Sequence, residues 1–246
     1  MYYFASDVHL GAGDELSSRR TEQCFVRWLD TISADAEAIF LVGDIFDFWF
    51  EYNKVIPKGF VRTFGKLAEL TDRGIPVVFI TGNHDMWSRD YLQRECGVEV
   101  VHTSRNITLG NRTIHIAHGD NLNIGDKPLL RLMNSTFRSL IMRKLFAWLI
   151  HPDIAMSFGQ WWSGKSRKSH SQEQITASSL DFLIDYAHTY KQENPFVDCI
   201  LFGHMHFPYK HKEQGLEVAF LGTWNESSGS YAVSDNEGNI ELKTFQ

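Results

Sequence analysis

Short, unbroken apolar runs alternate with stretches of helical period along the first hundred residues. Residues 2–6 are a strand candidate, and 38–42 and 77–80 are continuous apolar runs, the pattern expected of strands buried on both faces. Between them, residues 17–32 place Phe25, Trp28, Leu29 and Ile32 at spacings of three and four. Residues 60–71 repeat that period and end at Asp72-Arg73-Gly74, a helix stop. The chain then becomes richer in strands, at 99–102, 106–109 and 113–117, with Gly110-Asn111 as a hairpin turn between the last two. A helix at 180–190 is followed by strands at 197–202, 217–221, 230–233 and 240–244. An α/β opening with a strand-rich close predicts a two-sheet sandwich flanked by helices.

One segment breaks this alternation. Residues 129–162 are apolar and basic together, from Leu129 and Leu130 through Phe137, Leu145 and Trp148 to Trp161-Trp162. Arg and Lys interrupt every apolar run before it reaches the length of a membrane span. The segment reads as two or more amphipathic helices inserted into the main domain. Two roles fit it: a helical hairpin packed on the core or against a second copy, and a lid whose apolar face holds acyl chains or touches a bilayer. No internal repeat or low-complexity linker is present. The expected organisation is one domain over 1–246 with a helical insertion at about 124–170.

Composition narrows this picture. Apolar residues make up 43% and charged residues 22% of the 246 positions, enough to bury a core without staples. Cys24, Cys96 and Cys199 are far apart and form no CxxC pair, and the chain starts directly on strand-like sequence. A reduced, cytoplasmic setting is expected. The net charge of −6 is uneven: positions 127–170 hold eight Lys or Arg against one acid, Asp153, a local net of +7 that leaves −13 for the remainder. Such a block is either a site for an anionic partner or a solvated helix face balanced by acids nearby in space. The acidic remainder repels a nucleic-acid backbone, so nucleic acid is not expected as a partner.

The chemistry is concentrated in five short motifs. They are Asp7-Val8-His9, Gly43-Asp44, Gly82-Asn83-His84-Asp85, His118-Gly119-Asp120 and Gly203-His204-Met205-His206. Each directly follows a predicted strand, and ligands of α/β sheets gather at the carboxyl ends of strands. Carboxylate, imidazole and amide oxygen together select Mn, Mg, Fe, Co or Zn over thiolate-loving metals. Asp7 and His9, two apart, point to one side if the segment is extended, and His204 and His206 repeat the spacing. Asp44 has two oxygens with which to bridge two ions; Asn83 and His118 complete seven ligands. Two such ions, about 3.5–4 Å apart, activate water and clamp both oxygens of an in-line displacement. Any one motif alone is as readily a turn or a cap. Five in this order are not.

The order D-x-H, G-D-x-x-D, G-N-H-D, H-G-D, G-H-x-H resembles the calcineurin-like metallophosphoesterase superfamily across residues 4–222. That resemblance implies a four-layer α-β-β-α sandwich with an inserted helical lid. It also implies two divalent metal ions, manganese first among the candidates. One would be held by Asp7, His9, Asp44 and His206, the second by Asp44, Asn83, His118 and His204. His84, paired with Asp85, would be catalytic, able to protonate a leaving alkoxide.

Within the superfamily the chain is most similar to the UDP-2,3-diacylglucosamine hydrolases of lipid A biosynthesis. The similarity lies in Ser6-Asp7-Val8-His9-Leu10, in Gly43-Asp44-Ile45-Phe46-Asp47-Phe48-Trp49, in Asp126 after His118-Gly119-Asp120, and in the helical insertion before Gly203. It implies an acylated sugar-nucleotide substrate, contact of the insertion with the inner-membrane surface, and substrate contacts from Asn83, His84, Asp126, Ser163, Lys165, Arg167, Lys168 and His170. Two positions depart from that family's pattern. His84 stands where its best-known members have Arg, and Ser163, Arg167 and His170 stand where they carry Ser, Asn or Thr, and Lys. An ester substrate therefore also fits the motif. Oligomeric state is not encoded in any of these features.

Overall fold

The computed structural model describes residues 1–120, 122, 135–137, 139–172 and 177–246, and the side chains among them outside 165–178. Eleven strands among these residues form two mixed sheets. The six-stranded sheet runs β11 (Ile240–Phe245), β10 (Gly229–Ser234), β1 (Tyr2–Ala5), β2 (Ala38–Val42), β3 (Val77–Ile80), β4 (Glu99–Val101). From β1 to β4 the strands are parallel, with Phe4 beside Phe40 and Phe40 beside Val78. The five-stranded sheet runs β5 (Arg105–Leu109), β6 (Arg112–Ala117), β7 (Val197–Phe202), β9 (Leu216–Phe220), β8 (Tyr209–Glu213), parallel at its centre and antiparallel at both edges.

Period-2 alternation assigns each strand two apolar faces. Phe4, Phe40, Val42, Val78 and Ile80 meet Ile114, Ile116, Cys199 and Leu201 in a core between the sheets. The opposite faces, with Tyr3, Ala5, Ile39, Leu41 and Phe79, pack on α1 (Glu15–Ile32), α2 (Val61–Asp72) and α3 (Tyr91–Cys96). On the far side of the second sheet, Ile200, Phe202, Val218 and Phe220 pack on α6 (Asp181–Glu193) through Leu183 and Ala187.

Helix α1 starts at Glu15, two residues before the apolar period suggests, because the Asp14 carboxylate accepts the Ser17 amide N–H at 2.7 Å and caps the first turn. Its Glu22 in turn accepts the amides of Arg62 and Thr63 at the start of α2, satisfying donors that α2 itself leaves free. Two elements carry no signal in the apolar pattern. Helix α3 is a turn and a half stopped by Gly97, and β8 is an edge strand of sequence Tyr-Lys-His-Lys-Glu. The runs at 99–102 and 106–109, adjacent in sequence, belong to different sheets.

The inserted segment contains α4 (Leu140–Leu149) and α5 (Pro152–Gln172); residues 129–134 lie outside the described residues. Phe146 of α4 packs against Phe50 and Trp87, while α5 lies on the loop after β2. A Cβ on Gly159 would fall 2.4 Å from the Phe48 ring, so the helix seats there only as glycine.

Candidate metal centre

The carboxyl ends of β1, β2 and β3 in one sheet, and of β6 and β7 in the other, converge on a single point between the sheets. The ladders end in cross-loop hydrogen bonds: the Asp7 amide donates to Gly43 C=O at 3.0 Å, His9 to Asp44 C=O at 3.0 Å, and Gly203 to His118 C=O at 3.0 Å. Five side chains leave these ends from backbone in the left-handed region: Asp7 (φ 55°), His9 (49°), Asp44 (54°), His204 (68°) and His206 (53°). Only two other non-glycine residues, Phe60 and Gln214, share it among those described. This corrects the expectation that Asp7-x-His9 and His204-x-His206 converge as extended segments. Both residues of each pair turn through positive φ, strain of order 1–3 kcal/mol per residue that clusters at working sites. Room is equally tight: a Cβ on Gly82 would fall 2.2 Å from Asp44 Oδ1 and 2.8 Å from His118 Nε2.

Six of the seven motif ligands, Asp7, His9, Asp44, His118, His204 and His206, are brought together; the seventh, Asn83, sits on the loop after β3 with its buried Oδ1 without a hydrogen-bond partner. Asp7, Asp44, His9 and His118 are buried. His206 Nε2 is 3.2 Å from Asp7 Oδ1 and 3.1 Å from His9 Nε2. His118 Nε2 is 3.3 Å from Asp44 Oδ2, and His84 Nε2 is 3.9 Å from the same oxygen. Three trios have ligand atoms within 4.8 Å of one another: Asp7, His9 and His206; His9, Asp44 and His84; Asp44, His118 and His204. Donors about 2.0–2.2 Å from a shared ion stand roughly 3.0–3.4 Å apart at its coordination edges, and the Asp7–His206, His9–His206 and Asp44–His118 separations fall in that range.

Protonation agrees with a cation between these groups. His118 Nδ1 lies 2.8 Å from Val42 C=O; a carbonyl only accepts, so Nδ1 carries a proton and the other nitrogen, Nε2, is the one that faces Asp44. That Nε2 is buried with Asp44 Oδ2 3.3 Å away, a position that either a proton or a cation would fill. Burial alone would lower the His118 pKa, but Asp44 and then Asp7 outweigh it and hold it well above the usual range. Burial would raise Asp7 and Asp44; the imidazoles overcome it and keep both carboxyls low, His206 acting on Asp7 and His118 on Asp44. Burial pushes His9 down to about 3 and His204 down to about 4, so both are neutral donors at physiological pH.

The remaining predicted residues divide sharply. Asp85 does not pair with His84, as the motif suggested. Its carboxylate accepts the amides of Gly82 at 2.7 Å and Ile45 at 2.8 Å, pinning the loop after β3 to the loop after β2. Burial, then the charge of Asp44, raises its pKa to about 7. Asp85 is therefore a positioning residue. His84 instead donates from Nδ1 to Asp47 C=O at 2.6 Å, with Ser163 Oγ 2.8 Å away. Ser163, buried on α5, donates to Asp47 at 2.7 Å. Asp47, the second acid of G-D-x-x-D, is thus the residue sequence reasoning left without a role; its Oδ1 is 3.6 Å from His9 Nδ1. The backbone of Lys165, Arg167, Lys168 and His170 lies on α5, their side chains outside the described set. Asp126 lies outside the described residues.

A cavity of about 510 Å³ opens beside this centre, at the carboxyl ends of β3 and β4, lined among others by Thr81, Met86, Trp87, Arg89, Phe137 and Arg143. Burial and the neighbouring Arg89 charge lower the Arg143 pKa, and the buried Thr81 hydroxyl has no hydrogen-bond partner. The wall is part apolar and part polar, with two arginines and one acid, Asp90.

Comparison with known proteins gives a consistent result. The family model of calcineurin-like phosphoesterases matches residues 2–208. The UDP-2,3-diacylglucosamine hydrolase of Porphyromonas gingivalis is 35% identical, over 95% of this chain and 93% of its own. That of Neisseria gonorrhoeae is 28% identical, over 97% and 95%. Among solved structures, an archaeal phosphodiesterase aligns with 99% of this chain and 98% of its own at 10% identity, with a TM-score of 0.47.

Proposed function

Because this chain belongs to the calcineurin-like phosphoesterase family, we propose that it hydrolyses the pyrophosphate bond of UDP-2,3-diacylglucosamine to UMP and 2,3-diacylglucosamine 1-phosphate, a step of lipid A biosynthesis. The observation that carries this reading is the 35% identity to such a hydrolase over nearly the whole of both chains. The helix, sheet, sheet, helix packing order supports one four-layer α-β-β-α domain over 1–246, with the insertion at about 124–170 as its lid.

Asp7, His9, Asp44 and His206 would hold one divalent ion, and Asp44, Asn83, His118 and His204 the other; manganese is the first choice, and Mg, Fe, Co or Zn would suit the same donors. Bound there, the two ions supply Lewis acidity to the phosphoryl oxygens and an acidified water for in-line attack. The protein's own groups do the rest. Asp85 fixes the distance between the loops that carry Asp44 and Asn83. The Asp47 carbonyl holds the Nδ1 proton of His84 and aims Nε2 toward Asp44, where it hydrogen-bonds a phosphoryl oxygen. The bond broken joins the uridylyl phosphorus to a phosphate oxygen. That leaving group is a phosphate monoester with a second pKa of about 6, so it departs without a strong general acid, and His84 serves in binding charge.

The cavity with Met86, Trp87 and Phe137 beside Arg89 and Arg143 suits a ligand that is apolar at one end and anionic at the other. Asp126, Lys165, Arg167, Lys168 and His170 complete the proposed substrate contacts from the insertion. No helix among the described residues is long and apolar enough to cross a membrane; the exposed apolar side of α4 and α5 supports peripheral contact with a membrane surface, and a cytoplasmic location at the inner membrane goes with the proposed substrate. His84 favours one second reading: with an imidazole in place of a permanent cation, a phosphodiester that leaves as an alkoxide is also served.

The test is hydrolysis of UDP-2,3-diacylglucosamine by purified protein with Mn²⁺, beside Asp44→Ala and beside bis-p-nitrophenyl phosphate. UMP release is expected from the wild type, falling at least about a hundredfold in the variant, more than outer-shell changes at metal sites cost. Turnover of the nitrophenyl diester alone would reject the lipid substrate and favour the second reading.

A further inference from the structure

A second set of metal-ligating side chains stands on the far edge of the five-stranded sheet, away from the catalytic loops. His188 projects from α6, and His211 and Glu213 from β8. His188 Nε2 is 3.5 Å from Glu213 Oε2, His211 Nε2 is 3.2 Å from the same oxygen, and the three ligand atoms lie within 4.8 Å of one another. We propose that His188, His211 and Glu213 form a binding site for a zinc-class divalent cation, bracing the edge strand β8 against helix α6.

Geometry, charge and placement argue for it. Ligands about 2.0–2.2 Å from a tetrahedral zinc stand roughly 3.4 Å apart, and the two distances to Glu213 bracket that value. Two imidazoles and a carboxylate are a borderline donor set that favours zinc over magnesium or calcium, with the fourth position left to water. Along β8 successive side chains alternate between faces. Lys210 turns to the other face, where it pairs with Glu217 at 2.6 Å, and Lys212 follows it. Among the described residues, the only charge partners of Glu213 are the two imidazoles. Lys191, one turn along α6 from His188, is occupied by the carbonyls of Pro195 and Val197. All three ligands are partly exposed, His188 and His211 to 28% and 29% and Glu213 to 50%, so an ion reaches them without opening the fold.

The site also has a structural consequence. Strand β8 begins at Tyr209, just after His206 of the metal centre, and its outer edge is unpaired in the sheet order. Helix α6 begins at Asp181, after the insertion has ended. A cation joining them would tie the strand that follows the His204–His206 loop to the helix that follows the lid.

The experiment titrates zinc into manganese-loaded wild type, His188→Ala and Glu213→Gln, and counts bound zinc after equilibrium dialysis. Zinc that exchanges into the catalytic centre is common to all three and cancels in the difference. The wild type is expected to hold one zinc equivalent more than either variant at micromolar free zinc, and to gain a few degrees in Tm that the variants do not gain. Hydrolysis of bis-p-nitrophenyl phosphate at the wild-type rate identifies each variant as folded; Glu213→Gln, half-exposed on an edge strand, keeps the comparison open if His188→Ala is damaged. Equal zinc uptake and equal Tm shifts in all three proteins would overturn the site and leave a hydrogen-bonded trio.

Discussion

At the scale of single residues, burial and polarity compete openly at His115. It sits on β6 facing α6, buried, with Nδ1 2.5 Å from Asn106 Oδ1 and its ring 4.0 Å from that of Tyr190. Its Nε2 has no hydrogen-bond partner. Burial lowers its pKa to about 4 from an ordinary 6.5. The folded protein thus keeps this imidazole neutral where the unfolded chain protonates it. Stability from the group is complete above pH 6.5 and declines as the pH falls from 6.5 toward 4, by about 3 kcal/mol in total. Urea unfolding of wild type and His115→Phe at pH 7 and pH 4.5 is the check: the acid loss should shrink by about 2 kcal/mol in the variant. An identical loss in both would place the acid sensitivity elsewhere. The metal ligands differ from His115 in having one another, since every lowered imidazole there lies beside a carboxylate that a cation would complete.

At the scale of elements, the strands that carry the centre were legible because each is a short apolar run ending in Asp, Asn or His. The ligand identities were legible for the same reason. What the sequence did not carry was the backbone that aims them. Asp7, His9, His204 and His206 turn through positive φ, which no apolar period reports. Nor did it carry Asp47, whose role depends on Ser163 arriving from a helix more than a hundred residues later. Strand β8 was missed because an edge strand needs few apolar residues, and α3 because six residues are too few to show a period. The seat of α5 makes its own prediction. In a free helix Gly159→Ala would gain about 1 kcal/mol from propensity. Here the new Cβ would lie 2.4 Å from Phe48, an overpacking that costs about 1–3 kcal/mol. The clash should win, lowering Tm and pulling Ser163 away from Asp47 and His84, with a fall in turnover of UDP-2,3-diacylglucosamine. A rise in Tm would mean that α5 is not held on the loop after β2.

At the scale of the whole molecule, the apolar surface is lopsided. Large apolar side chains are exposed singly elsewhere, Leu16, Val61 and Phe196 among them, yet α4 buries none of its residues. Ile141 and Trp148 are 77% and 81% exposed, and Leu149, Ile154, Trp161 and Trp162 add to the same insertion. Exposed large apolar side chains concentrated on one insertion mark a surface meant to be covered. Lys144 is exposed on the same helix as Ile141 and Trp148, a composition that suits a helix lying in a lipid interface and drawn there by anionic headgroups. The proposed acylated substrate would have to leave a bilayer to reach the metal centre, and this surface lies on the segment that flanks the cavity through Leu140 and Arg143. Burying a large apolar side chain contributes about 1.5–3 kcal/mol, so Ile141→Ser with Trp148→Ser should weaken binding to phosphatidylglycerol vesicles at least about a hundredfold. Neither side chain reaches the metal ligands, so turnover of bis-p-nitrophenyl phosphate should be unchanged. Vesicle co-sedimentation reads the first and a colorimetric assay the second. If the vesicles bind both proteins equally while light scattering shows the wild type dimeric and the variant monomeric, the patch is covered by a second copy instead of by lipid.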